Sequence, residues 1–265
     1  MSSHALLWGG LLSIALVGCN GATVEDAGAG DPDAGRRPRD GGASGADAGP
    51  VADPDAGPAT ACDGFLTGDG DGTYYDANGS GACGFPAQGG GELLVAAMNA
   101  PQYDGSNVCG SCAHVVGPMG EVTVRIVDLC PECARGDLDL SPDAFDHIAE
   151  RSAGRVPITW TEVPCEVSGP LVYHFKDGSN QWWTALQIRN HRHRVATVEA
   201  QEAGGSWRSI PRLDYNFFVA DWGLGPGPYA LRVTDVHGHV VSDEGVPGGL
   251  DDADTPSAGQ LAACE

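Results

Sequence analysis

The stretch from Val124 to Phe145, VRIVDLCPECARGDLDLSPDAF, constrains the fold more than any other part of this chain. It follows the two-residue alternation of a strand in Val122, Val124 and Ile126, turns at Pro131, and enters a short helix at Ser141-Pro142. Two aspartates, Asp128 and Asp139, flank a loop that holds Cys130 and Cys133. Both acids stand where an element ends, and they are the pair of carboxylates that the stretch offers to chemistry. A purely structural role, capping turns and the Ser141 helix, is the alternative for them.

The cysteines bound the chemistry of the loop. Setting Cys19 aside leaves eight, Cys62, Cys83, Cys109, Cys112, Cys130, Cys133, Cys165 and Cys264, an even number that suits an oxidising compartment. Cys109-Gly-Ser-Cys112 and Cys130-Pro-Glu-Cys133, 17 residues apart, also satisfy the spacing of a four-cysteine zinc site. The density of further cysteines favours disulfides over zinc, so no metal and no cofactor are expected. Connectivity stays open.

The first residues carry an apolar run, ALLWGGLLSIALVG, that ends in Cys19. It is shorter than the roughly 20 residues a spanning helix needs, and Leu16-Val17-Gly18-Cys19 resembles the lipobox of bacterial lipoproteins. Residues 1–19 are thus expected to be a lipoprotein signal peptide, with lipid on Cys19, against an ordinary secretory signal cleaved elsewhere. Residues 20–61 are Gly, Ala, Pro and Asp with a recurring DAG, too poor in large apolar side chains to offset ordering entropy. They read as a disordered acidic tether, in which Arg36, Arg37 and Arg39 are merely solvated. The expected location is the cell envelope, by lipid anchor, or the exterior.

The remainder suffices for two domains, expected at 62–166 and 167–248, with an acidic tail at 249–265. Residues 62–165 hold 15 acids against 4 Lys or Arg, and residues 167–248 hold 8 against 7. Such a surface is not drawn to nucleic acid, anionic lipid, pectin or teichoic acid, and a neutral polymer is the better partner. A monomer is expected.

In the first of these domains, ELLVAAMN and SPDAFDHIAER read as helical and VPITWTEV as a strand. Gly68 to Gly72, GDGDG, invites a calcium reading, but Tyr74 and Ser80 stand where an EF-hand loop needs Gly and Glu, so a tight turn is expected. The second domain shows short β-branched and aromatic strands between turn signals, the pattern of a sandwich. Trp182 and Trp183 would face opposite ways in a regular strand, unless a turn after Gly178 brings both outward. Trp207 and Trp222 are expected in core or turns.

The motifs Asp128-Leu129-Cys130-Pro131-Glu132 and Ala134-Arg135-Gly136-Asp137-Leu138-Asp139-Leu140-Ser141-Pro142 resemble those of bacterial expansins. The resemblance covers about residues 64 to 248. It implies a mainly β fold, a six-stranded double-psi β-barrel followed by an immunoglobulin-like β-sandwich, and carries over Thr73, Asp128, Glu132 and Asp139 as groove residues. Thr73-Tyr74 matches the family's groove pair. Cys130 stands where those proteins have a groove tyrosine, a departure from the pattern. The segment GSGACGF and Cys109-Gly-Ser-Cys112 are similar to plant expansins and family 45 endoglucanases, in which such cysteines form disulfides.

Gly178 to Trp183, Leu186 to His191 and Leu213-Asp214-Tyr215-Asn216 resemble a family 63 carbohydrate-binding module, which implies that Trp182, Trp183 and Tyr215, with Lys176 nearby, bind cellulose. Asp139 matches the general acid of family 45 enzymes, whereas Thr73 stands where their base is placed. The implied function is loosening of noncovalent contacts between cellulose and associated wall polysaccharides without hydrolysis. A family 45-like endoglucanase with Asp128 as base, a peptidoglycan-acting factor like rare lipoprotein A, and a cellulose-binding adhesin are the alternatives.

Overall fold

The computed structural model describes residues 62–201 and 205–264. The expected signal peptide, the lipidated Cys19 and the tether lie outside the described residues. The first part contains β1 (Thr67–Tyr74), β2 (Val95–Asn99), α1 (Ala100–Tyr103), β3 (Cys112–Val116), β4 (Glu121–Cys130), β5 (Leu138–Leu140), α2 (Pro142–Ile148) and β6 (Val156–Val163). Its six strands close into a barrel in the order β1-β5-β2-β4-β3-β6. Within it β1 runs parallel to β5 and β2 parallel to β4, and the other neighbours are antiparallel. This is the barrel that the motifs imply.

Two local expectations are corrected. The GDGDG run is not a turn but most of β1, and its glycines serve close approach rather than bending. A Cβ on Gly68 would lie 2.1 Å from the Trp160 indole nitrogen, one on Gly70 2.6 Å from the Gly136 carbonyl carbon, and one on Gly72 2.9 Å from Ile158. The ELLVAAMN run supplies β2, not a helix. All five β2 residues are buried, with β4 on one side and β5 on the other, so the apolar run carries no alternation by which to recognise a strand. SPDAFDHIAER does form α2, where Ser141 Oγ accepts the Ala144 amide, followed by a single 3-10 turn at Arg151–Ala153.

The second part contains β7 (Val172–Phe175), β8 (Thr184–Arg189), β9 (Val195–Gln201), β10 (Trp207–Ile210), β11 (Phe218–Ala220), β12 (Tyr229–Asp235), β13 (Val240–Val246) and β14 (Ala253–Pro256). Two four-stranded sheets, β10-β9-β12-β13 and β11-β8-β7-β14, enclose one core that includes Tyr173, Phe175, Leu186, Val198, Leu231 and Val233. Trp222 packs on that core beneath the Arg208 guanidinium, and Trp207 lies in β10 under Arg232.

The segment expected as an acidic tail includes an edge strand. Asp254 of β14 lies opposite His174 of β7, with Oδ1 2.8 Å from His174 Nδ1 and 3.3 Å from Nη1 of Arg189 in β8, so a hydrogen bond and an ion pair tie the edge strand to the sheet. Leu261 enters the sandwich core, and Cys264 bonds to Cys62. Among the described residues, no helix is long and apolar enough to cross a membrane.

Candidate functional site

The barrel places the two aspartates in one row. Thr73 of β1 pairs with Asp139 of β5, Asp139 with Ala97 of β2, and Ala97 with Asp128 of β4. Residues in register project from the same face of a sheet, so Thr73, Asp139 and Asp128 share one side. A β-bulge makes this possible. Continuing the alternation of Val122, Val124 and Ile126 would turn Asp128 into the barrel, but the register shifts between Ala96 and Ala97, and Ile126 and Val127 are both buried. The extra residue reverses the phase, and Asp128 emerges half-buried on the row.

The two acids have different partners. Thr73 Oγ1 donates to Asp139 Oδ1 at 2.5 Å. Burial raises the Asp139 pKa; the Thr73 hydrogen bond opposes the rise, Glu132 adds to it, Arg155 opposes it and Asp128 adds to it. Asp128 Oδ1 accepts the amides of Ala82, at 2.7 Å, and Leu129, at 2.8 Å. Gly81 makes the approach possible, since a Cβ there would lie 2.3 Å from the Asp128 carboxyl carbon. Asp128 therefore pins the loop that follows β1, and Asp139 is the acid bonded to the Thr73 hydroxyl.

Glu132 is exposed on the loop between the aspartates. The Cys130–Cys133 disulfide closes that loop, and it is tied down from the barrel side. Asp137 Oδ1 accepts the Asp71 amide at 2.8 Å, Asn99 Nδ2 donates to the Asp137 carbonyl, and the Trp160 indole donates to the Gly136 carbonyl. The remaining pairs are Cys83–Cys109 and Cys112–Cys165. The four cysteines with zinc-site spacing thus enter three separate disulfides: Cys109 and Cys112 bond to Cys83 and Cys165, and Cys130 and Cys133 bond to each other.

Of the two tyrosines after Thr73, it is Tyr75 that interacts with both acids. Tyr74 packs its ring 4.9 Å from Phe145, and its hydroxyl donates to the Arg151 carbonyl at 3.3 Å. Tyr75, two residues beyond Thr73, carries a buried hydroxyl with no partner of good hydrogen-bond geometry. Burial first, then the charges of Asp128 and Asp139 and the nearness of Asp128 to the hydroxyl, push its pKa up. Sequence reading missed this residue, although two-residue alternation from Thr73 points to it.

In the sandwich, Asn180 Oδ1 accepts the amides of Trp182 and Trp183 and folds them into a turn before β8. Trp182 is 73% exposed. The backbone of Trp182 packs so close to Gly223 that a Cβ there would lie 2.5 Å from the Trp182 Cα. Trp183 and Tyr215 are half-buried against Ala185, Phe217 and Val219, with Tyr215 and Phe217 ring centroids 5.7 Å apart. Lys176, partly exposed at the end of β7, donates its amide to the Ala185 carbonyl.

One loop joins the two surfaces. Ala82 is held by Asp128, and the carbonyl of the next residue, Cys83, accepts Gln187 Nε2 at 2.8 Å and Asn216 Nδ2 at 3.1 Å. Next in the chain, Gly84 lies where a Cβ would stand 3.1 Å from Phe217. Tyr103 and Ser106 donate to the carbonyls of Asp214 and Leu213, and the Arg194–Glu162 ion pair at 2.7 Å closes another part of the junction.

A family model described as lytic transglycolase matches residues 68–160. Expansin-YoaJ of Bacillus subtilis is 43% identical over 136 residues, 51% of this chain and 58% of its own length. Expansin-like protein 1 of Dictyostelium discoideum is 32% identical over 181 residues, 64% of this chain and 63% of its own length. The chain thus spans less than two thirds of these curated relatives. The crystal structure of Clavibacter michiganensis expansin superposes with a TM-score of 0.69 at 30% identity, over 76% of this chain and all of that one. A variant of that expansin, solved in complex with cellohexaose, superposes equally well. Since the whole of a solved expansin finds its counterpart here, barrel and sandwich in the same order, this chain belongs to the expansin family.

Proposed function

We propose that the protein binds cellulose and loosens noncovalent contacts between cellulose and associated polysaccharides without breaking bonds. The observation that carries this reading is the Thr73–Asp139 hydrogen bond: the acid is present, and a hydroxyl stands where a hydrolase of this design needs a base. Thr73, Asp128, Glu132 and Asp139 form the groove that grips a glucan chain, with the buried Tyr75 hydroxyl behind it near Asp128. Trp182, Trp183 and Tyr215 stack on sugar rings, each contributing on the order of 1 kcal/mol by analogy with aromatic pairs, and Lys176 reaches the same chain. Cellohexaose in the related Clavibacter variant supports a β-glucan as the partner.

In this reading residues 62–166 form the groove domain and residues 167–248, completed by β14 and Leu261, the binding domain of an exported monomer. Residues 1–19 direct export and lipidation at Cys19, and residues 20–61 hold the folded part away from the membrane. Four disulfides agree with an oxidising exterior. The test is retention on cellulose, chitin and peptidoglycan together with extension of a cellulose network under constant load. Binding to cellulose and faster extension with no soluble sugar is expected; retention on peptidoglycan alone overturns it.

A second reading is favoured by the raised pKa of Asp139 and by the matched family model. A lytic factor in which a hydroxyl of the sugar itself attacks needs one acid rather than two carboxylates. Asp139 would protonate the leaving oxygen, and peptidoglycan would yield anhydro-sugar ends. Detection of those ends, lost in Asp139→Asn, would select it.

A further inference from the structure

Away from the groove and the aromatic face, three histidines surround the bond between Cys62 and Cys264, which are 202 residues apart. His193 precedes β9, and His237 and His239 sit between β12 and β13. The His193 ring centroid lies 4.9 Å from that of His237 and 5.6 Å from that of His239. Ligand atoms of Cys62, Cys264 and His237 fall within 4.8 Å of one another, as do those of Cys62, His193 and His239. Cys264 Sγ is 3.5 Å from His193 Nε2 and 4.0 Å from its Nδ1.

Two of the ring nitrogens near the disulfide carry lone pairs not used in hydrogen bonds to the backbone. His193 Nε2 donates to the Ala262 carbonyl at 3.1 Å, which leaves the Nδ1 lone pair available. The buried Nε2 of His237 has no hydrogen-bond partner. Asp235 accepts the amides of His237 and His239, and its Oδ2 lies 2.8 Å from His239 Nδ1, which fixes the turn that carries His237 to the disulfide. Cys62 and Cys264 are each partly exposed, whereas both cysteines of Cys83–Cys109 and of Cys112–Cys165 are buried, so a reductant reaches the first pair more readily.

We propose that this cluster is a redox-gated site for a zinc-class divalent cation, in which the Cys62 and Cys264 thiolates and the imidazoles of His193 and His237 replace the disulfide once it is opened. A dithiol reduces the S–S bond and leaves as a cyclic disulfide, while the protein gains two thiols. The cation then displaces one proton from each. Zinc binds sulfur at about 2.3 Å and imidazole at about 2.0 to 2.1 Å, so the ligands must rearrange only locally. The two ends of the described fold stay joined in either state, by a covalent bond or through an ion.

The test is cobalt(II) titration of the full chain, with Cys19→Ser in every sample, after dithiol reduction and anaerobic removal of the reductant. One cobalt per chain, with the visible bands of tetrahedral thiolate coordination, is expected only after reduction. His193→Ala with His237→Ala should weaken binding at least tenfold, and Cys62→Ser with Cys264→Ser should abolish it. The same bands in the double-serine variant assign the metal to other thiols, Cys130 and Cys133 first, and overturn the proposal. Bands unmoved by the histidine changes overturn it too, as does their absence from reduced protein. If reduction unfolds the chain, stoichiometric zinc should restore the native circular dichroism, and failure to do so overturns the proposal.

Discussion

Asp128 and Gln187 belong to different halves of the fold yet hold consecutive residues of one loop: Asp128 Oδ1 accepts the Ala82 amide at 2.7 Å, and Gln187 Nε2 donates to the Cys83 carbonyl at 2.8 Å. The acid row of the barrel and the aromatic face of the sandwich are thereby braced against each other.

Gln187 is fully buried, and Arg189 Nε donates to its Oε1 at 2.7 Å. Gln187→Ala therefore removes these two hydrogen bonds and a longer one to the Asn216 carbonyl, and should cost about 2 to 3 kcal/mol in urea unfolding. Its effect on network extension should exceed its effect on cellulose retention, because the aromatic side chains remain. An equal loss of both would argue against a bracing role.

Trp182→Ala with Trp183→Ala should weaken cellulose binding at least tenfold, roughly 1.4 kcal/mol. The two residues should separate in stability measurements. The Trp182 side chain is largely in solvent, so its loss should shift the unfolding midpoint little, whereas Trp183→Ala should destabilise by uncovering Phe217 and Val219. Retention should change little with added salt, since stacking rather than charge carries it.

Asp139→Asn should still bind cellulose, but network extension should fall sharply. Soluble reducing sugar from the parent that vanishes in this variant would establish bond cleavage instead. Stability offers a separate check. The native Asp139 keeps its proton to higher pH than the unfolded chain does, so its support for folding is complete below the unfolded value, near 3.9, and is lost as pH rises through the native value. The variant escapes that loss. It should be at least as stable as the parent at pH 7, and unfolding curves at pH 3 and pH 7 should show the gap closing in acid.

His191 should destabilise the fold in acid. Burial, aided by the charge of Arg125, pushes its pKa down to about 3, while its Nδ1 donates to the His193 carbonyl at 2.8 Å. A depressed value means that the unfolded chain takes up the proton first, so the stability His191 gives is complete above about 6.5 and is lost as pH falls towards 3. His191→Gln should lower the melting temperature at pH 7 but flatten its decline between pH 7 and pH 4. A parallel decline in both proteins would assign the acid sensitivity elsewhere.

The sequence by itself determined much of the local structure near the groove. Alternation at Val122, Val124 and Ile126 predicted β4, Ser141-Pro142 predicted the start of α2, and the Gly178 to Trp183 segment raised the turn that Asn180 closes. These features depend on residues a few positions apart, and propensity, capping and periodicity register such neighbours directly. The even cysteine number likewise pointed to disulfides, but not to their partners.

What only the tertiary structure decided is set by contacts distant in sequence. The bulge at Val127 exists because β4 must meet β2 in a shifted register, and it alone turns Asp128 from the barrel interior onto the row of Asp139. β1 could be recognised as a strand only once Trp160, Gly136 and Ile158 were seen filling the space that side chains on Gly68, Gly70 and Gly72 would need. Tyr74 is turned onto Phe145 of α2, a contact that the Thr73-Tyr74 motif does not reveal. Pattern within one segment reports which face a residue prefers, and register between segments decides what that face meets.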